Sequence, residues 1–393
     1  MKAGWQTKTL GEVLQKTETI NPSQSPEAEF DYIDVSSVSN ATFMIEATQR
    51  LKGQDAPSRA RKLVIANDIL FATIRPTLQR IAIVPEHLNK QVCSTGYFVL
   101  RPKPEIDHRF VFYFLFSEKF TGRMESLQKG ASYPAVTDGD VKAQVIPVPP
   151  LPEQHRIVSI LDEAFEGIAK ARAHAEQNRQ NARALFESHL QSVFTQRGEG
   201  WVVKKVSEIA KHSLGKMRDK AKNKGEPQPY LRNMNVRWFT FDLSDLLEMP
   251  FLPTEAEKYT AVKGDVLICE GGYPGRAAIW NEDYPIYFQK ALHRVRFHEP
   301  ELNKWFVYYL SVQSSSGQLK KHFSGTGIQH FTGEVLARFP IPVPPLPELR
   351  LAVAKFDELS DETQRLESIY QQKLAALDEL KKSLLHQAFS GSL

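Results

Sequence analysis

An internal duplication is the sequence feature that most constrains this fold. The segment Ile146–Glu153, which reads Ile-Pro-Val-Pro-Pro-Leu-Pro-Glu, returns unchanged 195 residues later as Ile341–Glu348. Each copy leads into about forty residues with no proline and almost no glycine. Because proline stops a helix and its absence lets one continue, we predict a long helix with a rigid lead-in at both places.

Apolar and small residues recur in both long segments with alternating spacings of four and three. A mean period of 3.5 residues favours a coiled coil over helices that lie on a globular core. At ~1.5 Å per residue, each helix would be roughly 60 Å long. The alternative is two unrelated amphipathic helices, each packing on its own domain, and the residues alone allow parallel or antiparallel pairing. The predicted seams are Ile157, Leu161, Ala164, Ile168, Ala171, Ala175, Asn178, Ala182, Leu185 and His189, and Ala352, Phe356, Leu359, Thr363, Leu366, Tyr370, Lys373, Leu377, Leu380 and Leu384.

The segments between the helices also match each other. Ala66–Phe71 corresponds to Lys263–Ile268, each a turn followed by a buried strand, and Phe110–Tyr113 corresponds to Phe306–Tyr309 in a buried helix. We therefore predict an α+β fold with mostly antiparallel strands, in which two pseudo-two-fold related mixed α/β domains are each followed by a long helix. The predicted boundaries are 1–145 and 198–340 for the globular domains, and 146–197 and 341–393 for the proline entries with their long helices.

Composition excludes several classes of protein. The chain has 393 residues, a formal net charge of +4 and two cysteines, Cys93 and Cys269, which form neither a disulfide framework nor a metal-ligand spacing. No apolar run reaches the ~18 residues that span a membrane, and the N-terminus lacks a secretory segment. We expect a cytoplasmic protein without a metal site. Any surface for nucleic acid has to be local, because the net charge is small.

Catalytic motifs are missing. Glu270–Arg276 is rich in glycine but lacks the spacing and the acidic partner of a dinucleotide fingerprint. Pro227–Tyr230 weakly matches the Asp/Asn-Pro-Pro-Tyr tetrapeptide of amino-methyltransferases, without its leading acid or amide and without a cofactor-binding motif. We expect a chain with no catalytic activity and no cofactor of its own.

Two groups of residues indicate DNA binding. A basic loop with Lys216, Arg218 and Lys220 suits contacts to phosphates, although a solvated charge run explains it equally well. Polar, cationic and aromatic residues on corresponding loops of the two halves are candidates for base contacts in the major groove. These candidates are Thr73, Arg75, Gln79, Arg80, Lys129, Ser132 and Tyr133 in the first half, and Arg232, Asn235, Arg237, Tyr273, Arg276, Thr326, Gln329 and His330 in the second.

The whole chain resembles the specificity subunits of type I restriction–modification enzymes. The most specific match is Ile146–Val158, which has the family pattern Ile-Pro-x-Pro-Pro-Leu-x-Glu-Gln-x-x-Ile-Val. The second copy departs from it, because Leu349 replaces glutamine and Ala352 replaces isoleucine. The resemblance implies two target-recognition domains, each reading one half of a bipartite sequence in double-stranded DNA. It also implies that the helices form an antiparallel coiled coil as a spacer.

The resemblance further implies partners. In this family the helices hold two methyltransferase subunits, which bind S-adenosylmethionine and methylate adenine, and a separate motor–nuclease subunit cuts DNA. Charged residues predicted to face outward from the helices, among them Arg172, Arg183, Glu367 and Lys381, are candidates for docking. The alternative is a stand-alone DNA-binding or scaffold protein without a methyltransferase. The expected docking residues of the proline entries are Pro150, Leu151, Glu153, Gln154, Pro345, Leu346 and Glu348.

Overall fold

The computed structural model describes residues 4–219, 223–325, 327 and 329–393. Contacts between residues divide the chain into two units: unit 1 is Met1–Glu176 with Gln371–Leu393, and unit 2 is Gln177–Tyr370. Each unit contains one globular half and part of both long helices. The domain boundaries predicted from the repeat stay a prediction, because this division cuts through both helices.

Two sheets build the globular half of unit 1. One has the strand order β3-β2-β7-β4 and the other β6-β5-β8, while β1 pairs with β9 in the first proline entry. All these pairs are antiparallel except β2 with β7. The elements are β1 (Gln6–Thr9), α1 (Leu10–Val13), β2 (Glu29–Ile33), β3 (Gln49–Lys52), β4 (Ala60–Val64), β5 (Ile69–Ala72), β6 (Ile81–Ile83), β7 (Gln91–Ser94), β8 (Tyr97–Leu100), α2 (His108–Phe114), α3 (Glu118–Leu127), α4 (Asp138–Lys142), β9 (Val145–Val148) and the long helix α5 (Leu151–Thr195).

Unit 2 repeats this plan. Its sheets have the orders β13-β12-β17-β14 and β11-β18-β15-β16, and β10 pairs with β19 in the second proline entry. Again one pair, β12 with β17, is parallel. The predicted α+β class with mostly antiparallel strands is confirmed. The elements are β10 (Val202–Lys205), α6 (Val206–Ile209), β11 (Ala210–Leu214), β12 (Glu226–Leu231), β13 (Leu247–Phe251), α7 (Ala256–Tyr259), β14 (Thr260–Ala261), β15 (Val266–Cys269), β16 (Ala277–Ile279), β17 (Ile286–Phe288), β18 (Leu292–Phe297), α8 (Leu302–Ser315), α9 (Gly333–Arg338), β19 (Pro340–Val343) and the long helix α10 (Leu346–Ser390).

A buried aspartate fastens the turn before the central strand of each half. Asp68 accepts a hydrogen bond from the backbone N–H of Ile65 (2.9 Å) and two from the guanidinium of Arg101 (2.8 Å each). In unit 2, Asp265 accepts from the N–H of Val262 (2.8 Å) and twice from the guanidinium of Arg296 (2.7 Å each). The turn-and-strand correspondence predicted between the halves therefore has a common physical basis.

The long helices pair antiparallel within unit 1. Near the beginning of α5, Arg156 Nη2 donates to the carbonyl of Leu393 (2.8 Å), and farther along α5 Arg172 forms an ion pair with Asp378. Residue numbers rise along one helix while they fall along the other, which defines an antiparallel pair. The arrangement implied by the family resemblance is confirmed.

The same direction holds within unit 2, where Arg183 Nη2 pairs with Glu367 Oε1 (2.6 Å) and the ring of Phe194 lies 5.8 Å from that of Phe356. Arg172 and Arg183 are exposed, as predicted, and Glu367 is half-buried, but all three are already bonded across the helix pair, so docking to a partner stays a prediction. Their charged groups flank the helix pair and are bonded across it, because long side chains beside a seam reach the opposite helix.

The predicted seam fails at four positions beyond Ala175 in α5 and Tyr370 in α10, whereas Ala182, His189, Leu377 and Leu384 are half-buried as predicted. Leu185 is 72% exposed and Leu380 is 47% exposed, while Leu190 and Leu385 are buried instead. One residue farther along, Phe186 and Lys381 are half-buried, so the inward face at these turns is displaced by one residue from the predicted seam. The seam prediction is wrong for the exposed residues Asn178, Leu185, Lys373 and Leu380.

One step of the predicted correspondence between the halves is also wrong. The sequence match pairs Tyr113 with Tyr309, but the hydroxyl of Tyr113 donates to Asp162 (2.5 Å), and in unit 2 Tyr308 donates to Asp357 (2.8 Å). Asp162 and Asp357 are 195 residues apart, so α2 and α8 follow the same offset as the long helices. Burial, and next the aspartate, raise the pKa of both tyrosines above the ordinary value.

Along the part of the chain that the structure describes, no helix is both long enough and apolar enough to cross a membrane.

Candidate nucleic-acid interface

Three loops of unit 1 are held together by hydrogen bonds. The loop after β5 is joined to the turn before β8 by Thr73 N donating to Gly96 O (2.9 Å), and Val136 N in turn donates to Thr73 O (3.0 Å). The loop before the proline entry is closed by a pair of bonds between Lys129 and Ala135 (2.9 Å each). Arg80 donates from its guanidinium to the carbonyl of Val38, which ties in the loop after β2.

Unit 2 builds the same framework from different residues. Glu270 N donates to Ala291 O (2.9 Å), Phe331 N donates to Glu270 O (2.8 Å), and Ser324 and His330 exchange two bonds (2.9 Å each). Arg276 Nη2 donates to Asn233 O (2.9 Å), as Arg80 does to its own loop. Because every bond has its counterpart in unit 1, the two halves present three corresponding loops whose tips differ in sequence.

Glycine closes one of these loops in each half. Gly130 and Gly325 follow the first bridging residue, and both have a φ of +104°. This conformation favours glycine because a Cβ strains it. The glycine at this point of both halves therefore has a conformational reason.

An arginine stacks on an exposed tyrosine at the tip of each framework. Arg75 Cζ lies 5.1 Å from the ring centroid of Tyr133, which is 72% exposed, and Arg276 Cζ lies 3.8 Å from the ring of Tyr273, which is 56% exposed. Arg75 and Gln79 both have a positive φ (51° and 50°), a conformation that costs free energy in non-glycine residues and is often found at functional loops. The structure thus brings Arg75, Gln79, Lys129, Ser132 and Tyr133 into two adjoining loops, with Lys129, Ser132 and Tyr133 exposed.

Several predicted base-contacting residues instead hold the loops together. Asn235 is buried, and its amide accepts from Arg232 N (2.9 Å) and donates to the carbonyls of Asp242 and Asp245 (3.0 Å each). Arg232 pairs with the Asp245 carboxylate (2.6 Å), and Arg237 with that of Asp242 (3.2 Å). Thr73 is also buried, and its hydroxyl donates to Gly96 O (3.0 Å). Buried and internally bonded amides and hydroxyls have no free edge for a base.

The basic loop does not act as one surface. Lys216 is buried, and its ammonium donates to Glu255 (2.5 Å) and to Pro250 O (2.9 Å), so its charge is compensated inside the protein. Arg218 is exposed. Lys220 and, in the other predicted loop, Thr326 lie outside the described residues, whereas Gln329 is exposed and His330 is half-buried.

Sequence reasoning missed exposed apolar residues beside these loops. Met44, in the loop after β2, is 63% exposed, and Met234, in the loop after β12, is 57% exposed. Leu78 is also exposed and lies between Arg75 and Gln79. A single exposed methionine in a loop has no periodic signal, so no sequence pattern could have identified it.

The proline entries hold the expected docking residues in different environments. Pro150, Pro345, Leu346 and Glu348 are exposed, and Glu348 accepts from the indole N–H of Trp201 (2.8 Å). The remaining members, Leu151 and Glu153, are half-buried, and Glu153 binds the guanidinium of Arg156.

Gln154, in contrast, is buried and serves the fold. Its side-chain oxygen accepts from Asp107 N (2.8 Å), and its NH₂ donates to Pro149 O (2.9 Å), which ties the proline entry to the start of α2. Leu349, at the equivalent position of unit 2, is buried in an apolar core. The departure of the second copy from the family pattern is therefore a change of internal packing, and Gln154 has no free surface for docking.

Replacing Gln154 with leucine is expected to destabilise unit 1 by about 1–3 kcal/mol, because a buried N–H and a buried carbonyl lose their partners. Peptide-resolved hydrogen exchange of the segment around Asp107 measures this local stability. Glu153→Ala, which alters the neighbouring half-buried side chain, is the control and should leave Asp107 protected. Unchanged exchange in the Gln154→Leu variant would contradict the structural role.

The cysteines are buried free thiols, and burial raises the pKa of Cys93 to about 12 and of Cys269 to about 11. Such thiols are unreactive. Among the described residues no cluster of histidine, cysteine, aspartate or glutamate side chains is arranged to bind a metal ion.

The duplicated three-loop framework and the antiparallel helix segments define a class of protein with two related units, each of which joins a globular half to part of both long helices. A family model described as the type I restriction modification DNA specificity domain matches residues 2–175 and again residues 198–376. The chain therefore belongs to this family and carries its domain twice.

Individual relatives agree with this assignment. The chain is 24% identical over 322 residues to the EcoKI specificity subunit of Escherichia coli K12, covering 77% of this chain and 69% of that one. It is 28% identical over 160 residues to the HindI specificity subunit of Haemophilus influenzae, covering 40% of this chain and 34% of that one. The HsdS subunit from Thermoanaerobacter tengcongensis superposes with a TM-score of 0.70 at 29% identity, covering 100% and 98% of the chains. A chain of a type I restriction–modification complex superposes with a TM-score of 0.88 at 29% identity over 100% and 99%.

Proposed function

We propose that this chain is the DNA-specificity subunit of a type I restriction–modification complex. The globular half of unit 1 recognises one half of a bipartite sequence in double-stranded DNA, and that of unit 2 recognises the other half. The observation that carries the proposal is the three-loop framework, which is built by corresponding hydrogen bonds in both halves but presents its exposed tyrosine from different loops: Tyr133 lies in the loop closed by Lys129 and Ala135, and Tyr273 lies in the loop after β15. One scaffold with two sets of tips is suited to two different half-sites.

The chemistry of the complex is assigned to partners. The long helices and proline entries hold two methyltransferase subunits, which bind S-adenosylmethionine and methylate adenine, so this chain needs no cofactor. In complexes that cut DNA, motor–nuclease subunits join the same assembly in the cytoplasm. Membership of the specificity family and the exposed residues of the proline entries support this assignment.

The adenine methylome of the source cell, with and without this gene, tests the proposal. Loss of one bipartite methylated motif is expected when the gene is absent. Exchange of residues 200–339 for those of a relative with another target should change one half of the motif and leave the other intact. Survival of every methylated motif in the deletion strain would contradict the function, and an unchanged motif after the exchange would contradict the assignment of one half-site to each domain.

Within unit 1, Arg75→Ala or Tyr133→Ala is expected to weaken binding of the cognate DNA by about 1–3 kcal/mol, because each removes an exposed contact group from a preorganised loop. Fluorescence anisotropy with the assembled complex measures this loss. Arg50→Ala is the control, since its guanidinium is already paired with Glu29 and Asp31. Equal affinities for all four proteins would show that the Arg–Tyr stack does not contact DNA.

A further inference from the structure

A lysine of unit 1 lies in a cage of three phenylalanine rings. The ammonium of Lys381 on α10 is 5.0 Å from the ring centroid of Phe43, 5.2 Å from that of Phe165 and 5.8 Å from that of Phe116. Phe43 and Phe116 are in edge contact, with centroids 4.6 Å apart. Phe43 adopts a positive φ of 56°, which directs this loop residue onto the helices. This arrangement also corrects the prediction that Lys381 faces outward to a partner.

The four equivalent positions in unit 2 are filled differently. The helix offset of 195 residues relates Phe116 to Ser311, Phe165 to Ser360 and Lys381 to Phe186. Phe239 corresponds to Phe43, since each lies two residues before the bridging residue that closes its loop, and it also has a positive φ (67°). Two of the three cage phenylalanines are thus serines in unit 2, and the position of the caged lysine is taken by Phe186.

These substitutions leave a cavity of about 490 Å³ in unit 2, and all four equivalent residues line it. Phe186, Phe239 and Trp238 supply aromatic surface, and Phe239 is 37% exposed. The carboxylates at the cavity are Glu187 and Glu367, of which Glu367 is paired with Arg183. Among the described residues that line the cavity, one arginine and two glutamates give a net negative charge.

We propose that this cavity receives a lysine or arginine side chain of a methyltransferase subunit, beside Phe186, in the space that the phenylalanine rings of the cage fill in unit 1. The inference rests on the proposed function and adds to it a specific point of docking. A cation is attracted to the faces of aromatic rings and to carboxylates, and unit 1 already shows an ammonium among rings at the equivalent positions. DNA is not the occupant, because its phosphates would meet the carboxylates.

Filling the cavity tests the inference. The double variant Ser311→Phe with Ser360→Phe restores the two missing rings, and adding Phe186→Lys transfers the complete cage from unit 1. Native mass spectrometry and titration with the methyltransferase subunit of the same cell measure binding. We expect about tenfold weaker binding of the methyltransferase subunit that docks at the cavity, which is the scale of one desolvated cation–π contact. Binding of the other methyltransferase subunit should be unchanged.

A second variant, Glu187→Lys, places a like charge at the exposed rim without filling the cavity, and a similar loss is expected. Ser192→Phe, an exposed position of the same helix outside the cavity, is the control for a surface phenylalanine. Normal binding by the cavity-filling variants and by Glu187→Lys would overturn the inference while leaving the proposed function intact. Failure of the unaltered chain to bind the methyltransferase would overturn both.

Discussion

Replacing Leu161 with aspartate is expected to destabilise unit 1 by more than about 4 kcal/mol, because it places an unpaired carboxylate in an apolar core. Leu161 is fully buried in the cluster that contains Ile146, Phe110, Leu385 and Ala388. The substitution therefore disrupts packing between both long helices and the globular half of unit 1. Domains are commonly stable by only ~5–15 kcal/mol. We therefore expect unit 1 to lose its exchange protection and the complex with the methyltransferase to fail to assemble. The seam residue Ile157, one turn earlier and also buried, should behave alike.

Leu185→Asp on the same helix is the matched control. A strict 3.5-residue period places Leu185 in the seam, but the structure leaves it 72% exposed, so aspartate there should change stability by less than about 0.5 kcal/mol. Hydrogen exchange measured peptide by peptide separates the two units. Equal damage from both variants would contradict the outward orientation of Leu185, and normal assembly of the Leu161→Asp variant would contradict the helix pairing.

Removal of the buried aspartates is expected to have unequal effects in the two halves. Asp68→Ala leaves the guanidinium of Arg101, whose side chain is only 13% exposed, without its partner, and should cost about 3–5 kcal/mol. Asp265→Ala should cost less, because the side chain of Arg296 is 43% exposed and water can solvate the freed charge. The two aspartates cap equivalent turns, so the difference isolates the effect of arginine burial.

The double variant Asp68→Val with Arg101→Leu controls for the charge itself. Replacing both partners of a buried ion pair with apolar residues is often close to neutral, so most of the lost stability should return. Hydrogen-exchange protection of β5 and β8 measures the stability of unit 1, and that of β15 and β18 measures the stability of unit 2 in the same sample. A larger loss for Asp265→Ala than for Asp68→Ala would show that burial of the arginine does not set the cost.

The structure divides the predicted site residues into exposed and internally bonded ones, and the contact of the exposed ones with DNA stays a prediction. Sequence matching located the loops around Arg75, Tyr133 and Tyr273, where the structure shows exposed side chains on a shared framework. It could not distinguish them from Asn235, because a polar residue in a loop has the same local pattern whether it faces water or bonds a neighbouring carbonyl. Lys216 was predicted to lie in an exposed basic loop but is buried, and the sequence could not show this because its partner Glu255 is distant along the chain.

The sequence by itself determined the duplication, the length and start of both long helices, the buried strands and the α+β class, because these depend on local periodicity and on proline placement. Only the tertiary structure decided the antiparallel direction, the exposure of Leu185 and Leu380, and the pairing of Tyr308 rather than Tyr309 with its aspartate. It also decided that equivalent positions hold a caged lysine in unit 1 and a cavity in unit 2. These features depend on which distant segments meet, and contacts between distant segments leave no periodic signal in the chain.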